Sequence, residues 1–376
     1  MNILIQFEQK PFFFTKPDVI VCCKNPSQLA DAFHQLEALR REGFYIAGFL
    51  SYEAGYCFET VFHQDQEYAF PLLLMGAYRR PESFAFKGSR ATHFAVHEFS
   101  LNISKEEYAL AIAHIRAAIP SGDVYQITYC IKLHFSFSGD AQDLYAQLLR
   151  RQPVPYPAYL ETGQYKILSL SPERLIKKTK KRLVVEPMKG TWPRGKNFLS
   201  DVAAGWQLGH DEKNRAENVM IADLLRNDLG KIANRIRTPK LFTVTPYQTL
   251  YQMTSTVKGV LAKERPIIDI FKAIFPSGSV TGAPKIRAMQ IIQGLEREER
   301  KIYTGAIGYI APNHDFYFNI PIRTLLLEGS HGEMGIGGGI VWDSTPQGEW
   351  DEGLLKARFL TDLSATAFCE IGRAHV

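Results

Sequence analysis

The sequence predicts an α+β fold built on large antiparallel sheets, and two observations support this prediction. Runs of strand-like segments are separated by runs of helical segments, whereas a doubly wound parallel sheet requires strict alternation of strand and helix. The composition is that of a globular protein, because 45% of the 376 residues are hydrophobic and 22% are charged. A chain of this length can bury a core large enough to hold a preformed site.

Strand and helix signals follow one another through the first half of the chain. The aromatic and β-branched run over 44–52 ends in a turn-prone EAGY segment and predicts a strand. Ser104 and Glu107 have the spacing of a capping box, so a helix is predicted to begin at Ser104 and to continue to residue 118. The other patterns of this half predict a strand over 124–137, a helix over 141–151 and short strands over 157–187.

The second half of the chain begins with a long predicted helix, over about 211–229, that ends at Gly230. Strands are predicted over 241–260, and helical spacing of apolar residues returns after them. The remaining elements are helices over 266–275 and 284–296, strands over 303–311, 316–327 and 333–342, and a last helix over 349–366.

One domain boundary is predicted, near residue 100. It divides an amino-terminal region, 1–100, from a larger domain, 101–366. A tail over 367–376 follows, and its last seven residues, EIGRAHV, resemble translated read-through of a sequencing adaptor. We therefore expect residues 370–376 to be non-native.

Charge and targeting signals exclude several classes of protein. The net charge is +5, but 44 basic and 39 acidic residues are well mixed, which speaks against a nucleic-acid partner and is compatible with a small anionic substrate. No apolar stretch has the roughly 18 residues of a membrane span, and the amino terminus has no basic signal region. The five cysteines lack zinc or redox spacing. We expect a cytoplasmic protein without a membrane partner.

Two predicted helices carry acids on their apolar faces. Glu217 shares one narrow sector with Ile221 in the long helix, and Glu352 lies on the corresponding face of the last helix, with Glu349 one turn earlier. An inward-facing acid costs on the order of several kcal/mol unless it is paired or bound to a metal. A buried ion pair explains either acid alone, whereas two such acids without a histidine cluster favour Mg²⁺.

Three further features allow two interpretations each. The glycines of Gly335–Gly339 in a strand pattern indicate either close backbone packing or N–H groups that bind an anion. Arg323, in an apolar strand pattern, either pairs with a protein acid or binds a substrate carboxylate. Lys189, after an apolar strand, is an ion-pair partner or a nucleophile whose pKa is depressed by burial.

Seven segments, in order from residue 169 to residue 352, carry a resemblance to a known family. They read SLSPERLIKK, EPMKGTWPRG, DEKNRAENVMIADLLRNDLG, GSVTGAPKIRAM, YTGAIGYI, IRT and GIGGGIVWDSTPQGEWDE. Together they resemble the chorismate-utilising enzymes, which include anthranilate, aminodeoxychorismate, isochorismate and salicylate synthases, over roughly residues 103–365.

The resemblance implies an anthranilate synthase component I-like fold, in which large antiparallel sheets form a sandwich flanked by helices. It makes 101–366 the chorismate-binding catalytic domain. The segment GFLSYEAGY makes 1–100 similar to the amino-terminal region of component I proteins.

The resemblance also assigns roles to individual residues. It implies that Glu173 is the general acid that protonates the departing 4-hydroxyl of chorismate. The glutamates that it implies for binding Mg²⁺ are Glu217, Glu352 and Glu349. The groups that it implies for holding the substrate carboxylates are the backbone N–H groups of Gly190, Thr191, Gly337 and Gly339 and the side chains of Tyr303, Arg323 and Lys356.

Two positions distinguish the reactions within this family. Isochorismate and salicylate synthases carry a water-activating lysine where this chain has Gln126, which we expect to contact the substrate. Anthranilate synthases carry alanine where this chain has Lys189. The combination resembles the aminodeoxychorismate synthases and implies that the Lys189 amine attacks C2 of chorismate, after which ammonia adds at C4 and expels the lysine.

The resemblance therefore implies amination of chorismate for p-aminobenzoate and folate synthesis, with ammonia from a glutamine amidotransferase partner. Two alternatives remain at this stage: anthranilate synthase component I, and a chorismate-binding relative without turnover. The chain departs from many family members at Gln252, where they have histidine, and at Asn214, where an acid is frequent.

Overall fold

Two antiparallel sheets form the centre of the molecule. The computed structural model of the protein describes residues 1–62, 67–82, 93–195, 197–246 and 250–364. In chain order its strands are β1 (Asn2–Ile5), β2 (Phe12–Phe14), β3 (Val19–Cys23), β4 (Tyr45–Leu50), β5 (Leu73–Tyr78), β6 (Phe94–Leu101), β7 (Gln126–Gly139), β8 (Tyr156–Glu161), β9 (Tyr165–Ser171), β10 (Arg174–Thr179), β11 (Arg182–Glu186), β12 (Met188–Pro193), β13 (Ala233–Pro246), β14 (Leu250–Leu261), β15 (Gly282–Ala283), β16 (Ala306–Ile310), β17 (Phe316–Asn319), β18 (Thr324–Glu328) and β19 (His331–Ile340).

The helices lie between these strands in the sequence. They are α1 (Leu29–Arg41), α2 (Lys105–Ala118), α3 (Ala141–Arg151), α4 (Phe198–His210), α5 (Glu212–Gly230), α6 (Ile267–Ile274), α7 (Lys285–Leu295) and α8 (Pro346–Thr361). The first sheet has the order β15-β7-β19-β18-β9-β8-β1-β2, with β6 also paired to β7. The second has the order β12-β14-β11-β10-β17-β16-β4-β5-β3, with β13 also paired to β14.

Of the four apolar cores among the described residues, the three largest hold the layers together. One core lies between the two sheets and contains Ile3, Phe49, Leu160 and Leu326. The other two lie outside them, where α1, α5 and α6 cover the second sheet and α2, α3, α7 and α8 cover the first. The predicted sandwich of antiparallel sheets flanked by helices is therefore confirmed.

Local sequence signals explain where several helices begin. The Ser104 hydroxyl accepts a hydrogen bond from the Glu107 N–H at 3.2 Å, and the Glu107 carboxylate accepts one from the Ser104 N–H at 2.8 Å, so the predicted capping box is present. Asp211 caps α5 by accepting from the Asn214 N–H at 2.8 Å. Thr345 caps α8, whose first residue is Pro346.

The predicted strand over 316–327 is wrong in one respect. The chain forms two strands there, β17 in the second sheet and β18 in the first. Between them Pro321 lacks the N–H that a strand ladder needs, and Arg323 has a left-handed backbone with φ 51°. Arg323 thus lies at a crossing between the sheets instead of inside a strand. Helix α4 was not predicted, because its apolar residues do not form one buried stripe.

Strands from both sides of residue 100 share each sheet. In the first sheet β1 pairs with β8, and in the second β4 pairs with β16. The division at residue 100 remains a prediction from the sequence. The tail over 367–376, including 370–376, lies outside the described residues. Within the described ranges, none of the helices is both long enough and apolar enough to cross a bilayer.

The buried carboxyl group of Glu53 lies in a 3₁₀ turn, Tyr52–Phe58, that follows β4. It accepts a hydrogen bond from the backbone N–H of Arg300 at 2.7 Å. Burial disfavours the charged carboxylate and raises the pKa of Glu53 to about 7. The folded protein therefore binds a proton between about pH 4.5 and pH 7 that the unfolded chain releases.

We expect Glu53→Gln to reduce the pH dependence of stability. Between about pH 4.5 and 7 the wild-type free energy of unfolding falls as pH rises, because the native state binds more protons than the unfolded state. The variant keeps an amide oxygen for the Arg300 N–H. As pH rises from 5 to 8, its free energy of unfolding should increase on the order of 1–3 kcal/mol relative to that of wild type. Urea unfolding at both pH values measures this. The exposed Glu42→Gln is the control, and an equal gain there would contradict the assignment.

Candidate active site

The candidate site is built around the neighbouring strands β7 and β19 of the first sheet. Gln126 is the first residue of β7, and the glycines of β19 lie opposite the start of that strand, with Gly339 paired to Thr128 and Gly337 paired to Cys130. The Gln126 side chain is buried, and neither of its amide atoms has a hydrogen-bond partner among the described residues. A buried unpaired amide costs free energy unless a ligand or water satisfies it.

A β-bulge turns Lys189 toward this strand pair. In the pairing of β12 with β14, Met188 lies opposite Thr254 and Thr191 opposite Gln252, so β12 contains one extra residue between them. Gly190 adopts φ 101°, in the left-handed region that favours glycine. The bulge therefore supplies the local change of direction that aims the lysine.

Gln126 and Lys189 converge on one point of the backbone. A Cβ atom on Gly339 would lie 2.0 Å from Gln126 Nε2 and 3.2 Å from Lys189 Nζ. Glycine at this position therefore leaves the space that both side chains occupy. The structure brings together these three residues, which the sequence assigned to the site separately.

Glu173 lies between β9 and β10, where the chain passes from the first sheet to the second. Its side chain is buried, and Oε1 accepts a hydrogen bond from Ser279 Oγ at 2.7 Å. Burial raises the pKa of Glu173 to about 7, although the hydrogen bond from Ser279 and the positive charge of Lys189 act in the opposite direction. A carboxyl group with this pKa can give up a proton near neutral pH.

Lys189 is partly buried in an environment of mixed charge. Burial lowers the pKa of its amine, and the positive charge of Lys356 adds to this effect. The carboxylates of Glu217 and Glu173 oppose the shift. A lowered pKa increases the fraction of neutral amine, which is the nucleophilic form.

The acids of α8 approach the backbone of Gly338. This residue directly precedes Gly339, at which Gln126 and Lys189 converge. A Cβ atom on Gly338 would lie 3.0 Å from Glu349 Oε2, 3.5 Å from Lys356 Nζ and 3.8 Å from Glu352 Oε1. Lys356 also donates to the Gly337 carbonyl at 2.6 Å and lies 2.8 Å from Glu352 Oε1. The predicted one-turn spacing of the two acids thus brings both to β19.

The charges of these acids depend on one another. Burial raises the pKa of Glu349, and the nearby Glu352 adds to the shift, while a 2.6 Å hydrogen bond from Ser344 opposes it. The pKa of Glu352 is lowered, mainly by Lys356. Burial also raises the pKa of Glu217 in α5, and Glu352 again adds to the shift. Carboxylates that repel one another in this way fit a divalent cation, which would neutralise them.

The other predicted residues occupy different surroundings. Tyr303 is buried with its ring against Gly335, since a Cβ there would lie 2.2 Å from the ring. Thr191 is exposed at the end of the bulge. The guanidinium of Arg323 lies beside the side-chain amide of Gln152, and its carbonyl accepts from the Leu170 N–H at 3.1 Å. The backbone contact with Leu170 joins Arg323 to β9.

Sequence reasoning missed two residues that position the predicted ones. Asn218, buried next to Glu217 in α5, donates to the Lys189 carbonyl at 3.2 Å and so holds the bulge. Ser279 holds Glu173. A buried asparagine beside an acid on an apolar helix face was the available signal for Asn218, whereas Ser279 depends on a contact between residues far apart in the sequence.

Gln252 carries a second buried polar group near this site that lacks a hydrogen-bond partner among the described residues. It pairs with Thr191 across β12 and β14, and its side chain is buried. Its amide oxygen has no hydrogen-bond partner within the described ranges. Together with Gln126, it leaves polar atoms available close to the bulge on which Lys189 lies.

Within this antiparallel sandwich, the glycines of β19 contact a lysine and a group of carboxylates, and a buried acid lies near that lysine, an arrangement typical of an enzyme active site. Residues 23–362 match the family described as chorismate binding enzyme. The chain therefore belongs to the chorismate binding enzymes.

Individual relatives support this assignment. The chain is 40% identical over 261 residues to aminodeoxychorismate synthase component 1 of Bacillus subtilis (strain 168), covering 69% of this chain and 56% of that protein. It is 37% identical over 261 residues to anthranilate synthase component 1 of Aquifex aeolicus (strain VF5), covering 69% of this chain and 53% of that protein. The match thus spans little more than half the length of these relatives.

A solved structure shares the fold across nearly the whole chain. The crystal structure of anthranilate synthase component I from Streptococcus pneumoniae TIGR4 aligns with a TM-score of 0.78 and 25% identity, covering 95% of this chain and 89% of that one. The agreement includes strands on both sides of residue 100.

We expect Gly339→Ala to damage the site without unfolding the protein. The new methyl group would collide with the Gln126 amide, which must move, and would crowd the Lys189 amine. Turnover of the substrate should fall on the order of 100-fold or more, since small displacements of reacting groups are costly. Steady-state kinetics measures this. Gly163→Ala, where a Cβ meets nothing within 4 Å, is the matched control. Equal activity of the two variants would contradict the proposed convergence.

Proposed function

We propose that this chain catalyses the reaction of chorismate with ammonia to form 4-amino-4-deoxychorismate, as an aminodeoxychorismate synthase component 1. The observation that carries the proposal is the convergence of Lys189 and Gln126 at Gly339. An amine with a lowered pKa suits nucleophilic attack, whereas the Gln126 amide cannot act as a base that activates water. The relatives named aminodeoxychorismate synthase component 1 support the same choice.

In the proposed reaction the neutral Lys189 amine attacks C2 of chorismate as the bond between C4 and its hydroxyl breaks. Glu173 supplies the proton with which the hydroxyl leaves as water. Ammonia then attacks C4, and the bond between C2 and the lysine nitrogen breaks. The raised pKa of Glu173 and the lowered pKa of Lys189 favour the protonated acid and the neutral amine that this sequence requires.

The residues around the two reacting groups would hold a dianionic substrate. Backbone N–H groups at the bulge and on the glycine strand, at Gly190, Thr191, Gly337 and Gly339, can bind carboxylates without a side chain in the way. We assign Tyr303, Arg323 and Lys356 to the same task.

Glu217, Glu349 and Glu352 would hold Mg²⁺, because hard carboxylate oxygens are the ligands that this ion prefers. The bound ion would neutralise a substrate carboxylate. Repulsion among these carboxylates supports the metal assignment. The negative charge of Glu352 disfavours ionisation of both Glu217 and Glu349, and a bound cation would relieve this repulsion. Lys356 and Lys213 partly offset this charge.

The ammonia would come from a glutamine amidotransferase partner, as the name component 1 of the relatives suggests. We place the reaction in the cytoplasm, which the free thiols of the described cysteines, Cys22, Cys23, Cys57 and Cys130, support. Added ammonium salt replaces the partner in a direct assay of the isolated chain.

Product identity tests the proposed function. The chain is incubated with chorismate, MgCl₂ and an ammonium salt at mildly alkaline pH. The products are separated by chromatography and identified by mass spectrometry. Aminodeoxychorismate supports the proposal. Anthranilate would show instead that the chain acts like the anthranilate synthase relatives. Binding of chorismate without turnover would overturn catalysis altogether.

Replacement of Lys189 tests the covalent step. We expect Lys189→Ala to lower kcat on the order of 10³-fold or more while chorismate still binds, because the nucleophile is lost and the binding groups remain. Wild type incubated without ammonia should gain the mass of chorismate less water on a peptide that contains Lys189. Lys258→Ala, an exposed lysine on β14, is the control. Normal turnover by Lys189→Ala would exclude the covalent route.

Replacement of Glu217 tests the metal assignment. Glu217→Gln removes one carboxylate and should weaken Mg²⁺ binding at least about tenfold. Titration calorimetry with MgCl₂ alone measures this without reference to activity. Glu212→Gln, an exposed residue in the first turn of the same helix, should bind Mg²⁺ like wild type. Unchanged affinity in Glu217→Gln would remove this residue from the metal site.

A further inference from the structure

A second group of metal-ligand side chains lies at the opposite end of β7 and β19 from the candidate active site. His134 of β7 pairs directly with Glu333 of β19, and His331 lies two residues before Glu333, so all three side chains share one face of the sheet. One ligand atom from each of the three lies within 4.8 Å of the other two. Gly339 lies six positions after Glu333, which is about 20 Å along a strand.

The two imidazole rings are spaced as zinc ligands are. His134 Nδ1 and His331 Nε2 are 3.2 Å apart. Two nitrogens that each lie about 2.0–2.1 Å from a tetrahedral Zn²⁺ are about 3.3 Å from each other. The same separation allows a hydrogen bond between the rings, so the remaining contacts must distinguish the two arrangements.

Glu298 orients His134 as a carboxylate orients a metal-binding histidine. His134 Nε2 lies 3.1 Å from Glu298 Oε1, and donation of the Nε2 proton to that carboxylate leaves a lone pair on Nδ1. This lone pair faces His331 Nε2. The arrangement of carboxylate, histidine and vacant ligand position is the one that surrounds many zinc ions.

Glu333 can serve as the third ligand although it is already paired. Its two oxygens lie 2.6 Å from Lys132 Nζ and 2.6 Å from Lys301 Nζ. Each carboxylate oxygen has two lone pairs, so one salt bridge does not exhaust it. Glu298 and Glu299 bring further negative charge to the two lysines, and the three acids together outnumber the two ammonium groups.

We propose that His134, His331 and Glu333 form a binding site for a divalent transition-metal ion of the Zn²⁺ class, separate from the active site. Two histidines and one carboxylate suit Zn²⁺ and disfavour Mg²⁺, which prefers oxygen ligands. His331 is exposed and Glu333 is buried, so an ion can reach the site from solvent and bind against the sheet. The bound ion would join β7 to β19, the strands that carry Gln126 and Gly339.

Zinc binding by the whole chain tests this proposal. Metal-free protein is titrated with ZnCl₂ in excess MgCl₂, which competes with Zn²⁺ for the carboxylates proposed to bind Mg²⁺, and the retained zinc is counted by elemental analysis after dialysis. We expect one Zn²⁺ per chain and a melting temperature that rises with ZnCl₂. His331→Ala, an exposed position that the fold does not need, should weaken binding on the order of 100-fold and abolish the rise.

Two control variants separate this site from other zinc binding. His114→Ala, an exposed histidine on α2, should retain one Zn²⁺ with wild-type affinity. Glu217→Gln should retain it as well, whether or not the proposed enzyme function holds. Failure of wild type to retain zinc at micromolar concentrations would overturn the proposal. Equal retention by His331→Ala and wild type, or loss of zinc in Glu217→Gln, would overturn it too.

Discussion

The lack of side chains at Gly338 and Gly339 of β19 is the constraint on which the candidate site depends. Gln126 and Lys189 occupy the space that a side chain of Gly339 would need, and the acids of α8 approach the neighbouring Gly338. Glycine weakens a strand because it packs nothing and loses more conformational freedom on folding. Here β19 lies between β7 and β18, so hydrogen bonds on both sides stabilise a strand of low intrinsic propensity.

Burial then gives the two central groups their chemistry. It raises the pKa of Glu173 to about 7 and lowers that of Lys189, so the two values move toward each other. Each group partly stabilises the charged form of the other, which limits both shifts. Both shifts favour the uncharged forms, a protonated acid beside a neutral amine, whereas two exposed groups would form an ion pair instead.

Much of this arrangement could be predicted from the sequence, because its signals are local. The capping box at Ser104 and the acids spaced along helical stripes follow from helix periodicity. The family resemblance supplied the roles of Lys189 and Glu173, which periodicity alone left open. The bulge at Gly190 and the contact of Ser279 with Glu173 could not be predicted, because each depends on pairing between distant segments. The break before Arg323 had a local signal in Pro321, which the strand prediction overlooked. Helix α4 was missed because Phe198, Leu199 and Trp206 are exposed on it.

Two of the crossings between the sheets explain how Glu173 is held. The chain passes from the first sheet to the second after Ser171 and from the second to the first before Thr324, and these two crossings are hydrogen-bonded to each other. Ser171 Oγ donates to the Ile320 carbonyl at 2.5 Å, and the Ile320 N–H donates to the Glu173 carbonyl at 3.0 Å. The backbone of the acid is therefore fixed by a segment about 150 residues away in the sequence. Because these hydrogen bonds join segments that lead into different sheets, the position of Glu173 depends on how the two sheets are placed relative to each other.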